Sequence, residues 1–85
     1  MAGAVRTQAY QNLLTELVSY RQKAGLSQAA LAKKLGKPPS YVGKYELGER
    51  RLDVVELCMI LQVLNIDVAR VLGTVLENVS PRSNS

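Results

Sequence analysis

Apolar residues along the chain fall into short runs with helical spacing. After Tyr10 they come at Leu13, Leu14, Leu17 and Val18, steps of three and four that line one face of a first helix. This helix is expected to end near Ala24-Gly25, with Gly25 in a left-handed cap. Ser27 has the hydroxyl of an N-cap, and Leu26 and Leu31 flank it as a hydrophobic staple, which predicts a second helix from Gln28 to Leu35. Gly36 stops it. Lys37-Pro38-Pro39 cannot lie within a helix, because proline lacks an N–H and Pro39 drives Pro38 into an extended conformation. Pro39 does suit a first helical position, so a third helix is expected from Pro39 to Leu47, with Val42 and Tyr45 inward and Gly48 as its stop.

Asp53 and Glu56 stand at the two ends of a capping box, with Leu52 and Leu57 as its staple, and predict a fourth helix from Val54 to near Leu64. Asn65 is suited to cap its C-terminus. Asp67 then opens a fifth helix, whose apolar set Val68, Val71, Leu72, Val75, Leu76 and Val79 runs to about Asn78. No segment alternates with a period of two. The expected fold is all-α, a compact five-helix domain over residues 10–79, with a flexible N-terminal arm (1–9) and a disordered C-terminal tail (80–85).

Composition narrows the chemistry. A chain of 85 residues with 47% hydrophobic residues, four Tyr as its only aromatics and no His has room for one modest core of Leu, Val, Ile and Ala. Without His, the usual acid-base and nucleophilic sites are missing, so an enzyme is not expected. The lone Cys58 cannot build a zinc site and sits in an apolar run as a small hydrophobe; neither a metal nor another cofactor is implied. That run, Leu57 to Leu61, is too short to cross a membrane, and the first residues lack the apolar core of a signal peptide. A cytoplasmic location is expected.

The formal charge of +4 is unevenly spread. Residues 21–51 hold eight basic side chains against Glu46 and Glu49, a net of +6, whereas residues 52–85 sum to −2. The basic middle coincides with the second and third helices, a pair of short helices joined by a Gly-containing turn, the unit that sets its second helix into a DNA major groove. Ala32 is small where such helices cross, and Leu31, Leu35, Val42 and Tyr45 can close the seam between them.

Over residues 13–73 the chain resembles the lambda-repressor/Cro-like (XRE-type) helix-turn-helix proteins of bacteria and phages. The likeness rests on Arg21-Gln22-Lys23-Ala24-Gly25-Leu26-Ser27-Gln28, on Leu31-Ala32-Lys33-Lys34-Leu35-Gly36, and on Ser40 to Arg50. It implies sequence-specific binding of double-stranded DNA by a small transcriptional regulator, with the helix near residues 39–47 in the major groove. Ser40, Tyr41, Gly43 and Lys44 then occupy base-contact positions, and Gln28, Lys37, Arg50 and Arg51 phosphate-contact positions. Arg21 and Glu46 match a buried ion pair that orients the reading helix.

Two positions depart from the family pattern. Position 39 is often a base-reading Gln and here is Pro, and Gly43 replaces a longer side chain, so direct readout through the third helix is thin. Part of the apolar stripe of the fifth helix, drawn from Val68, Val71, Leu72, Val75, Leu76 and Val79, is expected to form a homodimer interface and so to imply an inverted-repeat operator. Two other functions fit the same residues. One is an antitoxin or accessory factor that binds DNA and a partner protein. The other is a helical interaction module without DNA binding.

Overall fold

The computed structural model describes residues 7–79, which form five helices: α1 (Gln8–Lys23), α2 (Gln28–Leu35), α3 (Tyr41–Glu46), α4 (Val54–Val63) and α5 (Val68–Asn78). No strand occurs among the described residues. The starts of α2, α4 and α5 follow the predicted caps. Ser27 Oγ accepts from Ala30 N at 3.0 Å, and Asp67 Oδ1 accepts from Ala69 N at 3.0 Å. Asp53 and Glu56 close the capping box in both directions, at 2.7 and 3.0 Å.

Four helices end in one way, with a residue of positive φ and a backbone bond reaching back five residues. These bonds are Leu26 N to Arg21 O, Lys37 N to Ala32 O, Glu49 N to Lys44 O and Ile66 N to Leu61 O. Gly36, at φ 70°, turns the chain between α2 and α3, a conformation that a β-carbon would strain. Asn65 takes the same role after α4 at φ 61°, which Asn tolerates better than most residues.

Two boundaries differ from expectation. The first helix starts at Gln8, not Tyr10, because Thr7 Oγ1 caps Tyr10 N at 3.2 Å and Ala9 is buried below Leu13. Residues 7–9 therefore belong to the domain and not to an arm; residues 1–6 and the tail from Ser80 onward lie outside the described residues. The third helix starts at Tyr41, not Pro39. Tyr41 N donates to Pro38 O at 2.9 Å, closing a β-turn with Pro39 and Ser40 at its centre. The fixed φ of Pro39 suits the second position of that turn, and the first α-type bond comes only with Lys44 N on Ser40 O.

Leu17, Leu31, Ala32, Val42, Tyr45, Ile60, Leu61 and Val71 are wholly buried, so every helix sends at least one side chain to a single core. α3 has only six residues and could not persist alone. Val42 and Tyr45 anchor it by burial, and the Tyr41 and Tyr45 rings meet edge to face at 5.6 Å. Val71 is part of this core too, with Val68 and Val75 packed against it. These three are thus not a free dimer surface. Their spacing turns them inward, and only Leu72, Leu76 and Val79 of the predicted stripe are exposed.

A second apolar surface lies on α4. Val55, Met59 and Val63 are exposed at intervals of four, opposite the buried Leu57, Ile60, Leu61 and Leu64. Both faces of α4 are therefore apolar.

One core atom stands out. The Tyr45 hydroxyl is buried without a hydrogen-bond partner among the described residues, and burial pushes its phenol well above the usual range. Tyr45→Phe removes this unsatisfied group and keeps the ring, so it is expected to stabilise the fold by about 1 kcal/mol. For a domain of this size that corresponds to a melting temperature higher by about 4–8 °C in thermal denaturation. A lower melting temperature would show that the hydroxyl has a role in the native core.

Candidate nucleic-acid interface

One carboxylate gathers α1, α2 and α3. Arg21 Nε lies 2.7 Å from Glu46 Oε2 and its Nη2 lies 3.2 Å from Oε1, a two-point contact, while Nη1 donates to Leu26 O at 2.9 Å. Both side chains are mostly out of water, at 11% and 7% exposure. From α2, Gln28 Nε2 donates to Glu46 Oε1 at 2.8 Å. The C-terminal end of α3 is thereby tied to α1, to the α1–α2 turn and to the start of α2.

Beyond this tie, α3 presents a short open edge. Ser40 and Lys44 are both exposed, and Ser40 makes no side-chain capping bond that would occupy its hydroxyl. Gly43 is half-buried, because the Gln28 amide lies against it; a β-carbon there would stand 3.2 Å from Gln28 Oε1.

Tyr41 is not on the exposed face, contrary to expectation. It is 7% exposed and belongs to the core, and its hydroxyl donates to Glu56 Oε2 at 3.1 Å. The reason is angular: Tyr41, Val42 and Tyr45 span one wide inward face of so short a helix, and Ser40 and Lys44 take what remains.

The basic side chains around this edge rest on aromatic rings. Lys37 Nζ lies 5.4 Å from the centre of the Tyr41 ring, Arg50 Cζ 5.3 Å from the same ring, and Arg51 Cζ 4.6 Å from that of Tyr10. The Tyr10 hydroxyl accepts from Leu52 N at 3.1 Å and so steadies the loop between α3 and α4. Arg50 Nη2 also pairs with Glu56 Oε2. The Asp53 backbone N–H on its other oxygen, then Arg50 and Tyr41, hold the Glu56 carboxyl below its ordinary range. Burial, and then the Glu56 bond, push the Tyr41 phenol up.

Glu56 was legible in sequence only as half of a capping box. Its second oxygen, which joins Tyr41 and Arg50, had no local signal. The Gln28–Glu46 bond was likewise hidden, since it spans 18 positions.

Loss of Arg21 would leave Glu46 desolvated and unpaired, a condition that costs about 3–5 kcal/mol for a buried pair. Arg21→Ala is therefore expected to lower the melting temperature by more than about 10 °C or to unfold the chain. An unchanged melting temperature would refute a structural role for the pair.

The chain matches the helix-turn-helix family model over residues 17–71. Among solved structures, it is similar to the XRE-family like protein from Pseudomonas syringae pv. tomato str. DC3000. That match has 34% sequence identity and a TM-score of 0.82, and it covers 93% of this chain and 96% of the other. No curated protein matches the chain. With a tied bihelical unit at its centre, a family match over most of its length and a related structure end to end, the chain belongs to the XRE-type helix-turn-helix family of DNA-binding transcription regulators.

Proposed function

We propose that the protein reads a specific duplex DNA sequence as a homodimer, with α3 in the major groove of an inverted-repeat operator. The observation that carries this is the open edge of α3, where Ser40 and Lys44 stand exposed on a helix whose far side is held by Arg21 and Glu46. The Lys44 ammonium suits guanine O6 and N7, and the Ser40 hydroxyl suits several base edges. Lys37, Arg50 and Arg51 flank α3 and would take backbone phosphates, together with the backbone N–H groups at the start of α2. Tyr41, committed to the core and to Glu56, is left out of the contact set.

Selection of bound sequences from random duplex DNA at two salt concentrations tests this directly. The expected product is an inverted repeat whose half-sites are centred about 34 Å apart. Log affinity should fall with log salt by about 0.9 per phosphate neutralised. Lys44→Ala is expected to relax the preference at one base pair per half-site; a uniform loss across all sequences would reassign Lys44 to a phosphate. Absence of salt-dependent affinity would favour the interaction module without DNA binding.

For the dimer, the supporting surface is Leu72, Leu76 and Val79 of α5, of which Leu76 is 72% exposed. Sedimentation at micromolar concentration should give a dimer, and Leu76→Glu should give a folded monomer with weakened operator binding. A wild-type monomer that binds single half-sites would defeat this assignment. The second apolar face, Val55, Met59 and Val63 on α4, favours one further reading, an accessory factor or antitoxin that carries a partner protein there. Co-expression with the products of neighbouring genes, followed by sedimentation of the complex, distinguishes the two.

A further inference from the structure

Along one strip of the reading surface, Pro39 in the turn before α3 and Gly43 within α3 offer no polar side chain. On sequence alone this strip of the reading surface is blank. In the folded chain it is partly covered from outside α3. The three amide atoms of Gln28 lie 3.2, 3.7 and 3.8 Å from the point where a Gly43 β-carbon would stand. Nε2 is anchored on Glu46 Oε1 at 2.8 Å, and Glu46 is itself gripped by Arg21. The Gln28 side chain is thus laid along α3 and held there, although the residue is exposed.

We propose that Gln28 is a specificity-determining residue that reads an A·T base pair from the surface of α3, and that Gly43 is the positioning residue that makes room for it. This rests on the DNA-reading function proposed above and extends it. With one N–H given to Glu46, the amide keeps a second N–H and the lone pairs of Oε1. A donor beside an acceptor is the pattern that matches adenine N6 and N7 in the major groove. The anchor on Glu46 removes much of the rotamer freedom that an extended Gln would lose on binding, so the contact is prepared before DNA arrives. A β-carbon at position 43 would press on the amide oxygen at 3.2 Å, and a long side chain there would compete with Gln28 for the same space.

The test is selection from random duplex DNA, with competition binding of the enriched sequences, by the full chain and by Gln28→Ala, Gly43→Met and the double variant. Methionine is a better helix former than glycine, and position 28 is exposed, so all three are expected to fold, as circular dichroism would verify. Gln28→Ala should cut discrimination at one A·T pair in each half-site by about five- to a hundredfold. Its salt dependence should equal that of the wild type, because no charge is lost. Gly43→Met should lose preference at the same base pair, and the double variant should be no worse there than either single one. Equal weakening of all sequences by Gln28→Ala, with preferences unchanged, would make Gln28 a phosphate contact and overturn the proposal. So would a Gly43→Met protein that keeps the preference at that pair. If the wild-type chain itself enriches no sequence, the DNA-reading function falls, and this assignment falls with it.

Discussion

The contact between Arg21 and Glu46 is the constraint on which the rest of this structure depends. α3 is too short to hold a direction by its own backbone bonds, and its buried Val42 and Tyr45 fix how deep it sits more firmly than how it is rotated. A planar guanidinium facing a planar carboxylate at two points supplies the missing angular restraint. Lysine could match the charge but not the geometry. Such a pair adds little net stability, since both groups lose water, but it strongly penalises any arrangement in which one group is buried alone. Its third bond, to Leu26 O, extends the restraint to the turn from which α2 starts.

A second economy concerns the tyrosines. The chain has no Phe or Trp, yet its four Tyr do more than fill space. Tyr41 underlies Lys37 and Arg50, and Tyr10 underlies Arg51 while its hydroxyl takes a loop N–H. Tyr20 bonds Glu16 at 3.3 Å, and Tyr45 fills the centre of the core. Cations resting on rings have already given up part of their rotamer freedom, so less is lost when an anion orders them further. Glu56 completes the set by attaching the Tyr41 and Arg50 pair to the first turn of α4.

Helix ends marked by a capping side chain were legible to the residue, as Ser27, Asp53 and Asp67 demonstrate. The start of α1 was hidden because Ala9 contributes little to an apolar pattern even when buried. The start of α3 was displaced because proline fits both a first helical turn and the second position of a β-turn, and only the Tyr41 to Pro38 bond decides between them. Within the site, Ser40 and Lys44 were readable as an exposed edge, but the hydrogen bond that Tyr41 makes from its inward position runs to Glu56, fifteen residues away. Contacts across such distances leave no periodic trace. The family resemblance supplied the Arg21 and Glu46 match, which spacing alone could not have suggested. The exposed stripe of α4 carried no separate sequence signal, because Val55, Met59 and Val63 stand among buried apolar neighbours.

α5 joins the domain on different terms from the other helices. Val71 is its only wholly buried side chain, supported by Val68, Val75 and a 3.2 Å bond from Asn12 Nδ2 to Asn78 Oδ1. A helix held by so little can open without unfolding the remainder, and its backbone amides would then exchange with solvent ahead of those in α1, α2 and α4. Whatever covers Leu72, Leu76 and Val79 would close that route. Any assembly that covered this stripe would therefore share one equilibrium with the local persistence of α5, and the helix would become as stable as the concentration of its cover allowed.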